Sequence, residues 1–441
     1  MSPRTFARGL ALIAVAGLGL RLLYALVVVR DDPLLGDALQ FHLQANALAD
    51  GLGYVQPFLL RDSGVVRATA DKPPLFPFLE AGVSLLGGRS WAWHHLVGVL
   101  AGTGTVVACG LLGRRVGGQA VGLTAGALAA VYPVLVATDG SLRSESVYAA
   151  AIAVVLLAAL RLRDEPSGGR AAVLGVAIGV AALARSEALA LLVLLALPLG
   201  GLRRAAVAAV ACAVVVAPWL ARSWIALDHP VAISTNVGGL LAGANCDSTY
   251  RGDMLGQWDY GCLPAPAFED EALESARQRD LGLAYARDHL KRLPVVVAAR
   301  LGRTFELYRP RQNAHMEAFF EGRDLLVAQS GTAAFYALAL LGAVGTVVLR
   351  RRHGPSAVLL APVALVALVS ATSYGFTRLR AGAEPGLVVL AAVGLVTVVS
   401  AGRAARAPAP GRGPSPPAPG RRRARRAPAA PTPPGSPAPR A

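Results

Sequence analysis

Long runs of apolar residues, separated by short polar segments, make up the sequence as far as residue 401. The first run, residues 6–29, is long enough to cross about 30 Å of hydrocarbon as a helix. Similar runs along the chain predict about ten transmembrane helices in all. The other nine cover residues 92–113, 117–137, 145–161, 171–184, 187–200, 205–220, 332–349, 355–373 and 385–401. The pattern predicts an all-α polytopic membrane protein.

The composition agrees with this fold class. The chain has 441 residues, of which 54% are hydrophobic and 16% are charged, whereas a soluble domain has about 25% charged residues. A net charge of +16 could suggest a nucleic-acid partner. However, nine arginines and no acid lie after Ala401, and much of the remaining excess lies in short loops between helices. We therefore expect membrane lipids, and no nucleic acid, as partners.

The basic loops indicate the orientation of the chain. Ten spans place both termini on one side of the membrane, and the positive-inside rule makes that side cytoplasmic. The clusters that then face the cytoplasm are Arg114-Arg115, Arg161/Arg163/Arg170, Arg203-Arg204 and Arg350-Arg351-Arg352. The segments that face outside are residues 30–91, 138–144, 221–331 and 374–384. The sequence predicts a multi-pass protein of the cell membrane whose polar site is extracytoplasmic.

The long outer loop, residues 221–331, has features of ordered structure. Residues 269–293 read as an amphipathic helix with acids in its first turn, and Pro294 is expected to stop it. Cys246 and Cys262 share this loop on the oxidising side of the membrane, which predicts a disulfide. Metal binding by the two cysteines is the less favoured alternative, because no histidine accompanies them.

Two domains are expected. Residues 1–401 form the transmembrane domain, with residues 221–331 as a loop region within it. Residues 402–441 are rich in proline, alanine and arginine and almost lack large apolar side chains. Such a segment cannot bury a core, so we expect a disordered cytoplasmic tail.

Charged residues gather on the outer side of the predicted bundle. Each has an ordinary structural explanation: Glu145 could favour a helix N-terminus, Arg185 could extend its charge to the interface, and Asp37 could cap an interfacial helix. Their shared placement favours a site, because polar groups beside membrane spans are costly. The candidates are Asp37, His42, Asp71, Lys72, Asp139, Arg143, Glu145, Arg185, Glu187, Arg378, Arg380 and Glu384.

Carboxylates beside arginines and a lysine suit a reaction on a phosphate-containing lipid. The cations would hold a phosphate and stabilise it as a leaving group, and a carboxylate would take a proton from an incoming hydroxyl. No convincing nucleotide-binding loop is present, so a donor on this face would be membrane-borne. No cofactor is expected with certainty; the carboxylates could hold a divalent cation, although no ligand set has metal-like spacing.

Four short segments follow one another along the chain: G-D-A-L-Q-F-H (36–42), D-K-P-P-L-F-P (71–77), D-G-S-L-R-S-E-S-V-Y (139–148) and T-R-L-R-A-G-A-E-P (377–385). In this order they resemble the integral-membrane C-type glycosyltransferases of family 39. This group contains protein O-mannosyltransferases and the lipid A aminoarabinose transferase. The resemblance implies a GT-C-like bundle, a polyprenyl-phosphate sugar donor and transfer at the outer face.

The same resemblance implies roles for individual residues. Asp37 matches the catalytic acid of the first outer loop, and Glu145 is similar to the second outer-loop acid. Asp71 and Lys72 resemble the acid–lysine pair before the double proline. Together with the charge pattern, this predicts two catalytic residues, Asp37 and Glu145. The expected substrate-binding residues are Asp71, Lys72, Asp139, Arg185, Arg378 and Arg380.

The predicted function is transfer of a hexosyl or pentosyl group to a lipid, glycan or protein hydroxyl in cell-envelope glycosylation. A polytopic transporter or lipid flippase is the alternative. Transporters usually have internal repeats with broken helices at matched positions. The sequence has no convincing repeat, and its polar residues gather at one end of the bundle. A non-catalytic scaffold is a third interpretation, which the cluster of acids disfavours.

Overall fold

The computed structural model describes residues 2–30, 34–227, 229–267 and 269–406, together with Gly435. Residues Met1–Val399 form one compact unit, and Ser400–Ala441 are assigned to a second. The described residues contain helices and one isolated β-bridge, between Val55 and Ala68, but no sheet.

The first eight helices run from the N-terminus to the middle of the bundle. They are α1 (Pro3–Leu23, continued by a π-helical turn Tyr24–Val28), α2 (Gly36–Ala49), α3 (Pro57–Ser63), α4 (Leu75–Leu85), α5 (Trp91–Val131), α6 (Pro133–Asp139), α7 (Ser144–Asp164) and α8 (Gly168–Ala184).

The remaining helices carry residues 221–331, which are predicted to lie outside and are called the outer region, and the last spans. They are α9 (Leu197–Ala226), α10 (Val237–Ala244), α11 (Asp247–Tyr250), α12 (Glu271–Asp288), α13 (Leu293–Thr304), α14 (Pro310–Glu321), α15 (Leu325–Arg351), α16 (Ser356–Thr372) and α17 (Glu384–Arg406). Short 3₁₀ or π turns cover Ser186–Ala190, Leu192–Ala196, Tyr260–Cys262 and Thr377–Gly382.

Six helical segments in the described part of the chain are long and apolar enough to cross a membrane. Two of them contain a break at a glycine with positive φ: Gly118 (φ 84°) in α5 and Gly201 (φ 66°) in the segment that ends with α9. Glycine tolerates this conformation because it lacks a Cβ. With the shorter apolar helices α8 and α16, each of the ten predicted spans is helical, so the predicted fold class is confirmed.

Small residues allow the spans to pack closely. On α15, a Cβ added to Gly345 would lie 1.9 Å from the carbonyl oxygen of Leu390 on α17. A Cβ on Gly394 of α17 would lie 2.0 Å from the carbonyl oxygen of Leu341. Side chains at these positions would force the helices apart, which explains why glycine lies on both sides of this contact.

The outer region differs from expectation at one helix end. The predicted helix of residues 269–293 is present as α12, but it ends at Asp288, before Pro294. Pro294 instead lies in the first turn of α13, where its missing N–H has no intrahelical partner to lose. Cys246 and Cys262 are joined by a disulfide, with an S–S distance of 2.03 Å.

The last helix, α17, continues to Arg406. Residues 402–406, which the sequence assigned to the tail, are therefore helical. The rest of the predicted tail lies outside the described residues, apart from Gly435.

Candidate active site

Asp37 contacts three cations that come from distant parts of the chain. It lies in the first turn of α2, and its carboxylate is 3.1 Å from Lys72 Nζ, 2.8 Å from Arg378 Nη2 and 3.5 Å from Arg143 Nη1. Burial alone would raise the pKa of Asp37. The charges of Lys72, Arg378 and Arg143 outweigh burial and hold that pKa well below its usual range.

Arg378 contacts three carboxylates with its three nitrogens. Nη2 bonds Asp37, Nε lies 2.8 Å from Glu145 Oε1, and Nη1 lies 3.1 Å from Glu321 Oε1. Glu145 begins α7 and is almost fully buried. Its Oε1 also accepts a hydrogen bond of 2.7 Å from Arg185 Nη1. One guanidinium therefore fixes the first helix after span one against the start of α7 and the end of α14.

Lys72 extends between two acids on the other side of Asp37. Its ammonium is 3.1 Å from Asp37 Oδ1 and 3.5 Å from Asp71 Oδ2. Asp71 Oδ2 also accepts a hydrogen bond of 2.7 Å from Gln40 Nε2 on α2. Burial alone would lower the pKa of Lys72, but the charges of Asp37 and Asp71 raise it above its ordinary value. Lys72 therefore carries a full positive charge at neutral pH.

These groups form one connected set of ion pairs, which we call the charge cluster. Within the described residues it contains five carboxylates and four cations, so every cation already faces an acid. The acids are Asp37, Asp71, Glu145, Glu187 and Glu321, and the cations are Lys72, Arg143, Arg185 and Arg378. The structure thus brings together Asp37, Glu145, Asp71, Lys72, Arg185 and Arg378, six of the eight predicted site residues.

The other two predicted substrate-binding residues lie elsewhere. Asp139 is fully buried, and its Oδ2 accepts from Arg21 Nε at 2.8 Å, inside the bundle. Arg380 is 1% exposed, lies 2.5 Å from Glu384, and stacks 3.7 Å from the ring of Phe335. Both groups are held by partners within the bundle, so we assign them to its packing and not to substrate contact.

Glu321 also belongs to this site, although the sequence pattern does not single it out. This side chain is only 4% exposed, and its carboxylate lies 2.8 Å from Arg143 Nε and 3.1 Å from Arg378 Nη1. It ends α14, at the far end of a loop of about a hundred residues, immediately before Gly322 with φ 61°. A lone acid in a loop with many acids carried no periodic or motif signal, and only the fold places it in the charge cluster.

A cleft opens beside the charge cluster. Its lining contains Arg143 and Glu321 together with the apolar side chains of Leu35, Ala38 and Phe320. Ligand sites commonly have this combination of apolar walls and a few polar groups. In the described part of the chain no group of three or more His, Cys, Asp or Glu could hold a metal ion. A divalent cation therefore stays a prediction from the sequence.

Residues 71–224 match the family of dolichyl-phosphate-mannose-protein mannosyltransferases. The matched segment begins at the Asp71–Lys72 pair and ends within α9, and it includes Arg143, Glu145 and Arg185 of the charge cluster. No curated protein is significantly similar in sequence to this chain.

Among solved structures, the fold is similar to the archaeal oligosaccharyltransferase AglB from Archaeoglobus fulgidus, in complex with an inhibitory peptide and a dolichol-phosphate. The TM-score is 0.54 at 13% identity, covering 91% of this chain and 51% of that one. The apo form of the A. fulgidus oligosaccharyltransferase gives 0.52 at 14% identity, with 92% and 52% covered. This chain therefore spans about half the length of those enzymes.

A further match is ArnT from Cupriavidus metallidurans bound to undecaprenyl phosphate. Its TM-score is 0.44 at 16% identity, with 91% of this chain and 79% of that chain covered. The family match and the AglB fold confirm the resemblance predicted from sequence: the chain is a multi-pass membrane protein with a GT-C-like fold.

Proposed function

We propose that this protein is a glycosyltransferase that moves a sugar from a polyprenyl-phosphate donor to an acceptor hydroxyl at the outer face of the cell membrane. The observation that carries the proposal is a half-buried carboxylate, Asp37, set among three cations at the mouth of a membrane bundle. The family match and the GT-C-like fold support the same reaction class.

The cations provide the means to hold the donor's phosphate. Arg378 and Arg143 present guanidinium forks that match phosphate oxygens, and Lys72 adds a point charge 3.1 Å from Asp37. A bound phosphate would replace carboxylate oxygens on these groups. It would be stabilised as charge develops on the leaving oxygen.

The reaction then needs one displacement and one proton transfer. The acceptor oxygen forms a bond to the anomeric carbon while the bond from that carbon to the phosphate oxygen breaks. The electron pair of that bond leaves with the polyprenyl phosphate, and the hydroxyl proton passes to Asp37. Attack from the face opposite the phosphate inverts the anomeric configuration.

Asp37 is a weak base while three cations surround it. The donor's phosphodiester is a monoanion, and bound to Lys72 and Arg378 it would offset part of their charge and raise the pKa of Asp37 towards its usual range. Glu145 does not need to titrate in this scheme. It fixes Arg378 and Arg185 with one buried oxygen, which keeps both guanidiniums in place for the phosphate.

The direct test compares cell-envelope lipids and glycans, by mass spectrometry, in cells with and without the gene. We expect one class of glycan or lipid to lose a sugar, and wild-type protein to restore it. A gene carrying Asp37→Asn, expressed at the same level in the membrane, should not restore it. Full restoration by Asp37→Asn would refute the proposed mechanism.

A further inference from the structure

The loop that carries Asp71 and Lys72 is held from outside the charge cluster by two ions of opposite sign. Arg222 Nη1 donates to the carbonyl oxygen of Thr69 at 2.6 Å. The N–H of Ala70 donates to Glu271 Oε1 at 3.0 Å. That carbonyl and that N–H belong to one peptide group, Thr69–Ala70, so a cation and an anion hold its two ends.

Each of these two charged side chains makes a second contact that also fixes the loop. Arg222 Nη2 donates to the carbonyl oxygen of Tyr54 at 2.6 Å, on the other side of the isolated β-bridge between Val55 and Ala68. Glu271 Oε2 accepts from the hydroxyl of Thr69 at 2.6 Å, and that hydroxyl accepts from the N–H of Asp71 at 3.0 Å. A continuous chain of hydrogen bonds therefore runs from Glu271 to the backbone of the residue before Lys72.

The two ions come from different parts of the fold. Arg222 lies near the end of α9, whereas Glu271 is the first residue of α12 in the outer region. The outer region also reaches the loop through Thr235, whose N–H donates to the carbonyl of Ala70 at 3.0 Å, and through Ser234, whose hydroxyl donates to the carbonyl of Asp71. The loop is thus fixed between the membrane bundle and the outer region.

We propose that Arg222 and Glu271 are positioning residues that set Lys72 in the charge cluster. Neither side chain contacts the cluster's carboxylate Asp37, so each acts through the backbone of residues 69–72. A lysine has a long flexible side chain, and its ammonium can stay 3.1 Å from Asp37 only if its backbone is fixed. The inference rests on the proposed function in one respect: Lys72 is taken to bind the donor's phosphate.

The first experiment does not depend on that function. Hydrogen–deuterium exchange is measured on purified protein for a peptide covering residues 66–76. Glu271→Gln keeps one acceptor oxygen but loses the other and the charge, so we expect exchange to accelerate about tenfold there. Arg222→Lys keeps the charge without the fork and should act on the same peptide. Asp280→Asn, an exposed acid on the same helix, is the matched control and should change nothing.

The second experiment measures affinity for undecaprenyl phosphate in nanodiscs. Glu271→Gln should weaken binding about tenfold in the wild-type background and add almost nothing in a Lys72→Met background. In an Arg378→Ala background most of its effect should remain, because the contacts of Arg222 and Glu271 do not pass through Arg378; the two effects need not add fully, since Lys72 and Arg378 both bond Asp37. If Glu271 had only a structural role, Glu271→Gln would lower the yield or the thermal stability. Its effect on affinity would then not depend on whether Lys72 is present.

The outcomes separate the two proposals. If Lys72→Met and Arg378→Ala both bind the probe as well as wild type does, the proposed donor site is wrong. The exchange experiment still decides whether the two ions position the loop. If exchange in residues 66–76 is unchanged in both Glu271→Gln and Arg222→Lys, or if the Glu271→Gln and Lys72→Met effects on affinity add fully, the positioning role is overturned.

Discussion

At the scale of single residues, Arg378 and Arg380 are separated by one position in sequence but have different environments. Arg378 joins three acids of the charge cluster, whereas Arg380 is paired with Glu384 and packed on Phe335. Arg378→Ala should weaken polyprenyl-phosphate binding about tenfold to a hundredfold, because charged hydrogen bonds are lost. Arg378→Lys should recover only part, since an ammonium lacks the fork.

Arg380→Ala is the matched comparison for that measurement. It should lower the folded yield and the thermal midpoint, because it leaves Glu384 buried without its partner. The donor affinity of the protein that does fold should stay near wild type. Equal losses of donor affinity in Arg378→Ala and Arg380→Ala would contradict the assignment of the two arginines to different roles.

Asp37 is the proposed general base. Asp37→Asn keeps the size of the side chain but removes the base, so turnover should fall about 10²–10⁴-fold. Glu145→Gln provides the comparison, measured as transfer rate and donor affinity on the same purified samples. A smaller loss of rate in Glu145→Gln would fit its role in fixing Arg378, whereas a larger loss would exchange the two roles.

Glu306 gives a prediction about pH. Its side chain is 4% exposed, one of its oxygens lacks a hydrogen-bond partner among the described residues, and burial raises its pKa from 4.5 to about 7. A carboxyl group with a raised pKa in the folded state binds more protons there than in the unfolded chain. Between pH 4.5 and 7 this group therefore makes the protein less stable as pH rises.

Glu306→Gln should remove this dependence of the stability on pH. The variant should gain stability relative to wild type at pH 8 and gain little at pH 5, as read from thermal midpoints in one detergent. Both residues would have the same backbone φ of 59°, so backbone conformation does not differ in the comparison. A gain of equal size at both pH values would show that titration of Glu306 is not the cause.

At the scale of elements, the disulfide in the outer region is directly testable. Cys246 and Cys262 are bonded, and Cys109 and Cys212 are buried thiols in spans. A thiol assay on denatured, non-reduced protein should count two reactive groups. Four would exclude the disulfide and would argue against an oxidising environment for the loop.

The elements also show what the sequence could predict. Spans follow from apolar length alone, so all ten predicted segments are helical in the structure. Helix ends were less secure: Pro294 reads equally well as a stop for α12 or as the first turn of α13. The structure brings six of the eight predicted site residues together, but a charge pattern does not say which acid meets which base. Asp139 and Glu384 reach their partners inside the bundle, and the fold is needed to show it.

At the scale of the whole molecule, the orientation in the membrane remains a prediction from the arginine distribution. Single cysteines at Ser63 and Asp280, both exposed positions in the proposed outer part, should react with an impermeant maleimide added to intact cells. A cysteine at Gly168, the first residue of α8, should react only after lysis. Labelling of the Gly168 position in intact cells would reverse the model.

The near balance of the charge cluster has a consequence for selectivity. Five acids and four cations leave no net positive field to draw in chloride, inorganic phosphate or free nucleotides from the surroundings. A phosphate-containing ligand must instead displace carboxylates from the cations one by one, and the loss of these ion pairs cancels most of the binding free energy that its phosphate gains. The remaining binding free energy must come from its hydrocarbon chain in the bilayer. If the site works as proposed, we expect it to bind soluble anions weakly and to favour an anion that is already anchored in the membrane.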